Sequence, residues 1–220
     1  MDTNGVDILS PDTIDNFALA RERMAQELTR NGVTSVRVLN AMKKVPRHLF
    51  VSEALRYSAY NDVSLPIGFS QTISRPTTVG RMIQSLGLTG RERVLEVGTG
   101  SGYQAAVTAE LADRVVSMER IEALHRRAKV TLLMTMNYRN IELYHTGAFS
   151  DIKGTFDAIL VAACAPVMPE HLISLLNNGG RMLIPVEKGN SQVIKKFVRH
   201  DEEIVYEEEV GEAQFVPLVM

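Results

Sequence analysis

The chain has 220 residues and a formal net charge of −2, and hydrophobic and charged residues make up 45% and 23% of it. These values are ordinary for a globular protein with one sizeable core, and they give no reason to expect a nucleic-acid partner. One cysteine, Cys164, excludes an intramolecular disulfide, while no secretory leader or run of roughly 20 apolar residues is present. We therefore expect a cytoplasmic protein that binds neither nucleic acid nor membrane, with a monomer as the default state.

The first part of the sequence predicts an arm followed by a helical cap. Residues 1–16 are polar and lack periodicity, so we predict a flexible N-terminal arm. A helix follows at 17–29 and ends at Asn31-Gly32, and Thr34 is a candidate cap for a second helix. Because these helices precede any strand pattern, they should pack as a small cap against the main domain.

A loop and a third helix connect the cap to the main domain. Residues 65–76 contain two prolines, a glycine and three hydroxyl side chains, which is typical of a loop rather than a core element. Pro76 suits the first turn of a helix, where its missing N–H would have no partner in any case. Apolar residues at i, i+3, i+4 and i+7 give that helix a buried face, and Gly87 ends it.

Strands and helices then alternate. Strands are predicted at 93–97, 114–118, 141–144 and 156–161, and helices at 122–134 and 169–176. This alternation favours right-handed crossovers and a mostly parallel sheet covered on both faces. The tail is strand-like without helices, at 182–186, 192–199, 203–210 and 215–219. The predicted fold class is a doubly wound, Rossmann-like α/β sheet with an N-terminal helical cap and an antiparallel C-terminal portion.

A glycine-rich turn follows the first sheet strand. Gly98, Gly100 and Gly102 occupy every second position between a strand and a helix, whereas a dinucleotide fingerprint would place a glycine where Tyr103 stands. Glu96, two residues before the first glycine, suits a cationic amino-acid ligand better than a pyrophosphate. The pattern resembles motif I of class I methyltransferases that use S-adenosyl-L-methionine. A dinucleotide site and a turn without a ligand are the alternatives.

Several short motifs in order closely resemble the protein-L-isoaspartate O-methyltransferase family, over roughly residues 20–219. They are Val45-Pro46-Arg47-His48-Leu49-Phe50-Val51, residues 65–76, residues 94–106, Ser117-Met118-Glu119-Arg120, residues 156–166, residues 179–186 and Phe215-Val216-Pro217-Leu218. The resemblance implies a methyltransferase that esterifies the free carboxylate of isoaspartyl residues in damaged proteins and peptides. The ester would collapse to a succinimide and so begin repair.

The resemblance also implies the site residues. Ser74 is the predicted catalytic residue, although a serine there also suits a helix cap. The predicted cofactor-binding residues are Gln71, Thr72, Ile73, Glu96, Gly98, Thr99, Gly100, Gly102, Tyr103, Glu119, Arg120, Thr146 and Gly147. The predicted substrate-binding residues are Ser74, Ala163, Pro166, Phe215, Val216 and Pro217. No metal site is predicted. We divide the predicted single domain, 17–220, into cap and substrate loop (17–76), cofactor-binding core (77–190) and C-terminal strands (191–220).

Two positions depart from the family pattern. Thr146 stands where the family has an aspartate expected to bind the adenine amino group, and Gln214 stands where many bacterial members carry arginine. These departures leave two alternatives open. One is a methyltransferase for a different carboxylate or a small molecule, and the other is a cofactor-binding paralogue with impaired catalysis.

Overall fold

The computed structural model describes residues 17–201, 203–212 and 214–219, with the backbone alone described at Glu207. The predicted flexible arm, residues 1–16, lies outside the described residues. Two helices open the described chain, α1 (Ala18–Arg30) and α2 (Val36–Lys44), and 3₁₀ turns follow at Arg47–Phe50 and Glu53–Ser58.

The N-cap residue of α2 differs from the predicted one, Thr34. Ser35 is the N-cap residue, and its hydroxyl accepts a hydrogen bond from the Val38 N–H at 3.5 Å. The N–H of Thr34 instead donates to Oε1 of Gln84 at 2.7 Å. Thr34 therefore links the N-terminal helical cap to the helix that contains Gln84, and it is not the N-cap residue of α2.

The segment predicted as a loop is a β-hairpin, which corrects that prediction. Strand β1 (Leu65–Gly68) pairs antiparallel with β2 (Gln71–Ile73). The two turn residues, Phe69 and Ser70, have φ angles of 55° and 56°, the left-handed geometry that two-residue hairpin turns need. Neither is a glycine or asparagine, so the usual sequence signal for such a turn is missing.

The third helix, α3 (Pro76–Leu86), confirms its prediction. Pro76 occupies the first turn, and Gly87 ends the helix in the left-handed conformation with φ 59°. The buried face carries Val79, Met82, Ile83 and Leu86. The carboxylate of Asp62 accepts a hydrogen bond from the Thr77 N–H at 2.8 Å, so an aspartate from the cap satisfies the first turn of this helix.

Within the described residues, seven strands form the main sheet in the order β5-β4-β3-β6-β7-β8-β9. Their bounds are β3 (Arg93–Val97), β4 (Arg114–Glu119), β5 (Ile141–His145), β6 (Phe156–Val161), β7 (Leu176–Lys188), β8 (Ser191–His200) and β9 (Glu203–Glu212). Neighbouring strands from β5 to β7 are parallel, and β7, β8 and β9 are antiparallel. The predicted fold class is confirmed. Strand order reverses between β3 and β6, and open α/β sheets bind ligands at such a point.

Helices connect the parallel strands. They are α4 (Tyr103–Ala109), α5 (Glu122–Lys129), which continues as a π-helical turn at Val130–Thr135, and α6 (Glu170–Ile173). Helix α6 is shorter than the predicted helix at 169–176, because Leu176 pairs with Phe156 and already belongs to β7. The predicted strand at 215–219 is reduced to one bridge between Pro217 and Cys164.

Two apolar clusters cover the two faces of the sheet. One joins the cap and helices α3, α4 and α5, and the other contains Ile152, Leu172 and Phe197. Cys164 is 3% exposed, as expected for a packed thiol. No helix in the described part of the chain is long and apolar enough to cross a bilayer.

Candidate active site

The glycine turn fixes a carboxylate at the carboxyl end of the sheet. The N–H groups of Gly98 and Thr99 donate to the carbonyl of Met118 at 2.9 and 3.1 Å, which folds the turn onto the end of β4. The Gly100 N–H and the Ile121 N–H donate to the two oxygens of Glu119, at 2.9 and 2.8 Å. A carboxylate has about four acceptor positions, so Glu119 keeps acceptors for two ligand hydroxyls.

Gly102 shapes the turn without lining the pocket. Its φ is +91°, and a Cβ at this position would lie 3.0 Å from Cδ1 of Leu132 in the helix that packs behind it. Both observations require a glycine. We find Gly102 behind the pocket wall, where it allows α4 and the π-helical turn to approach closely.

Glu96 also lies one layer behind the wall. It is 1% exposed, and Ser117 donates a hydrogen bond to its Oε2 at 2.5 Å. The Ser117 hydroxyl is also 2.6 Å from that of Thr99, which faces the pocket. Burial raises the pKa of Glu96 to about 8, although the hydrogen bond from Ser117 opposes the shift. Its Oε1 has no hydrogen-bond partner among the residues described.

The end of β2 brings Ser74 to the opposite wall. Gln71, Thr72, Ile73 and Ser74 all line the same pocket as the glycine turn. The helix-cap interpretation of Ser74 is wrong, because Arg75 is the N-cap residue of α3 and no side chain there makes a capping hydrogen bond. The side chain of Ser74 therefore does not cap the start of α3.

The segment after β5 forms a third wall. The N–H of Thr146 donates to the carbonyl of Glu119 at 3.0 Å, which places Thr146 and Gly147 beside the carboxylate. The hydroxyl of Thr146 donates to Oδ2 of Asp151 at 2.5 Å. The carboxylate that the family pattern would place at position 146 is thus absent there, but another carboxylate lies in contact with the substituted side chain.

The C-terminal segment closes the pocket. The Cys164 N–H donates to the Val216 carbonyl at 2.8 Å, and the Leu218 N–H donates to the Cys164 carbonyl at 2.7 Å. The Gln192 amide holds both main-chain groups of Phe215, at 2.7 and 3.2 Å. Val216 and Pro217 consequently line the pocket.

The structure brings most of the predicted site residues together. The pocket is partly open to solvent. Of the predicted residues, Glu96, Gly102, Pro166 and Phe215 do not line it. Pro166 is exposed beyond the wall, and Phe215 packs against the main apolar cluster. Wall residues that sequence reasoning missed are Val79, Val97, Ser101, Gln104, Met118, Ile121, Phe149 and Val219. Ser101 and Gln104 adjoin the glycine motif and could have been found from it.

The groups in the pocket fit S-adenosyl-L-methionine. The Glu119 carboxylate suits a ribose diol, and Ile121, Met118 and Phe149 offer apolar surface for an adenine ring. Glu96 Oε1, behind the wall, and Gln104 Nε2, in the wall itself, are buried without hydrogen-bond partners in the described part of the chain. An unpaired acceptor and an unpaired donor suit the ammonium and carboxylate of an amino acid, because buried polar groups normally have partners.

Comparison with known proteins identifies the family. A family model described as protein-L-isoaspartate(D-aspartate) O-methyltransferase (PCMT) matches residues 19–220. The chain belongs to this family. A protein-L-isoaspartate O-methyltransferase of Syntrophotalea carbinolica is 46% identical over 207 residues, covering 93% of this chain and 95% of the relative. One from Photobacterium profundum is also 46% identical and covers 92% of this chain and 97% of its own length.

A solved PCMT structure has the same fold. The beta-aspartate methyltransferase (PCMT) of Plasmodium falciparum, crystallised in complex with S-adenosyl-L-homocysteine, superposes with a TM-score of 0.77 at 26% identity. The match covers 90% of this chain and 98% of that one. The family model spans the cap and the sheet, from residue 19 to residue 220, so the cap belongs to the PCMT architecture.

Proposed function

We propose that the protein transfers a methyl group from S-adenosyl-L-methionine to the free carboxylate of L-isoaspartyl residues in damaged proteins and peptides. One observation carries the proposal: in a chain of the PCMT family, Ser74 and the glycine turn line opposite walls of one pocket. The sulfonium cofactor supplies an electrophilic methyl carbon. The substrate carboxylate, with a pKa of about 4, is already ionised at neutral pH, so no general base is needed.

The residues of this chain bind the cofactor and the substrate and orient them for the reaction. Glu119 holds the ribose hydroxyls, and the Ser74 hydroxyl donates to the substrate carboxylate without neutralising it. Val216 and Pro217 exclude water from the reacting atoms. As the carbon–oxygen bond forms, the carbon–sulfur bond breaks and its electron pair stays on sulfur, so an anion and a cation become neutral products. Exclusion of water favours this loss of charge, and alignment at roughly 3–3.5 Å supplies most of the catalysis.

The substrate class is tested with matched peptides. The full-length protein is incubated with labelled S-adenosyl-L-methionine and a peptide containing isoaspartate, or the same peptide with ordinary aspartate, and base-labile methyl ester is measured as released methanol. We expect turnover of the first peptide alone. Esterification of both peptides would favour the alternative of a different carboxylate substrate. Binding of S-adenosyl-L-homocysteine by calorimetry without turnover would favour the impaired paralogue.

Substrate proteins are the partners this proposal requires. The cytoplasmic location, the absence of a nucleic-acid partner and the monomeric state remain predictions from the sequence.

A further inference from the structure

Arg47 is a fully buried arginine in the cap. Its side chain is 0% exposed, with Nε donating to the Ala59 carbonyl and Nη2 to the Ser74 carbonyl, both at 2.7 Å. Nη1 has no hydrogen-bond partner, and no carboxylate of the described residues forms an ion pair with Arg47. Burial lowers the pKa of Arg47, but an arginine keeps its proton in proteins. A positive charge that forms no ion pair with a described residue therefore lies directly behind the Ser74 loop, although Tyr103 and the Asp62 carboxylate interact favourably with it.

The face of the same guanidinium packs against Tyr103, on the cofactor side of the pocket. Its central carbon lies 4.6 Å from the ring centroid of Tyr103, within the range of a cation–π interaction. Tyr103 is the first residue of α4, directly after the glycine turn, and it lines the pocket at 1% exposure. One side chain thus joins the substrate loop to the helix that begins at the cofactor turn.

Stability alone does not explain this arrangement. A buried charge without an ion-pair partner is costly to desolvate. A guanidinium nevertheless offers several donors in a rigid plane, so it can hold two carbonyls and an aromatic ring in one geometry. A lysine has a single compact charge and cannot make the same three contacts at once.

We propose that Arg47 is a positioning residue that fixes the Ser74 loop relative to the glycine turn, and so aligns the substrate oxygen with the methyl group. The inference rests on the proposed methyl transfer. Arg47 contacts neither substrate nor cofactor, since it is wholly buried. Its contribution should consequently appear in kcat, where alignment matters, more than in the affinity for the cofactor.

The test compares Arg47→Lys and Arg47→Met in the full-length protein. Displacement of reacting groups by about 1 Å can cost on the order of a hundredfold in rate. We expect kcat on the isoaspartyl peptide to fall about a hundredfold in Arg47→Met and about tenfold in Arg47→Lys, with KM less affected. Affinity for S-adenosyl-L-homocysteine, by calorimetry, should change by less than about threefold, because the Glu119 wall is intact.

Hydrogen exchange provides a readout that does not depend on activity. Amides at 71–75 should exchange faster in Arg47→Met than in the parent protein, and Arg47→Lys should be intermediate. The matched control is Tyr60→Phe, which removes a buried hydrogen bond of 2.7 Å between Tyr60 and His48 in the same cap. This control should lower thermal stability without changing kcat or exchange at 71–75.

The outcomes separate the two proposals. Parental kcat and parental exchange in both Arg47 variants would overturn the positioning role, as would equal losses in Tyr60→Phe. Should Arg47→Met fail to fold, the Arg47→Lys comparison decides. If the parent protein does not methylate the isoaspartyl peptide, the proposed function fails, while the exchange data still decide whether Arg47 fixes the loop.

Discussion

The buried carboxyl of Glu96 leads to a prediction in which stability and cofactor binding change in opposite directions. Burial raises its pKa from the ordinary 4.5 to about 8, so at pH 7 the folded protein holds a proton there that the unfolded chain has released. Replacing Glu96 by glutamine removes the titrating group, so the chain no longer has to take up a proton there when it folds at neutral pH. We expect Glu96→Gln to be more stable than the parent protein at neutral pH and to bind the cationic cofactor less tightly.

The magnitude follows from the two pKa values. A group whose pKa is higher in the folded state makes its full contribution to folding stability at pH values below its unfolded-state pKa. That contribution is lost as the pH rises to the folded-state pKa. Each pH unit between these values costs about 1.4 kcal/mol, so the cost at pH 7 is about 3 kcal/mol. Glutamine avoids this cost and its amide oxygen can still accept from Ser117. For a domain of this size the gain corresponds to a rise in Tm of about 6–12 °C.

Thermal unfolding at several pH values measures the effect. The Tm of Glu96→Gln should exceed that of the parent protein at pH 7–8, and the difference should shrink to nothing toward pH 4.5, the ordinary pKa of the carboxyl. Glu27→Gln, at an exposed carboxylate in α1, controls for the loss of a charge. A Tm at pH 8 equal to or below the parental value would refute the reasoning. So would a difference that does not depend on pH.

Four further substitutions test the pocket and the turn behind it. Ser74→Ala should lower kcat by about tenfold to a hundredfold, because it removes a hydrogen bond to a charged group. The calorimetric Kd for S-adenosyl-L-homocysteine should stay within about threefold of the parental value. An unchanged kcat would show that Ser74 does not act in the active site. Thr146→Asp should lower the Kd for S-adenosyl-L-homocysteine by about tenfold. An unchanged Kd would indicate that Asp151 already supplies the carboxylate, and Asp151→Asn should then weaken binding of the same ligand. Gly102→Ala should destabilise the protein by more than about 1 kcal/mol in urea unfolding, because the left-handed φ and the contact with Leu132 both oppose a Cβ; parental stability would contradict this.

The sequence predicts the sheet and the glycine turn well, because both depend on local signals. Alternating strands and helices set the parallel order, and the glycines at 98, 100 and 102 mark the ligand edge. The hairpin at 65–73 was missed because Phe69 and Ser70 adopt left-handed backbone geometry without the residues that usually signal it. Tertiary packing, not local preference, sets that turn.

The wall residues illustrate a different limit. Met118 and Ile121 have the apolar character of core residues, and periodicity does not distinguish a side chain that faces a pocket from one that faces the core. Arg47 is the opposite case. An arginine is ordinarily an exposed residue, and its complete burial follows only from the meeting of the cap, the hairpin and α4.

Methyl transfer from a cationic donor to a carboxylate needs no acid–base catalysis, and this determines which residues should affect the rate. No proton must be removed, so polar side chains at the reacting atoms can contribute orientation but not the larger gains of general-base catalysis. Orientation depends on how rigidly the walls are held, and two of the supports lie outside the pocket: Arg47 behind Ser74, and Gln192 behind Phe215. Substitutions at such supports should therefore cost as much activity as substitutions at Ser74 itself, which would not be expected of an enzyme whose rate depends on a catalytic base.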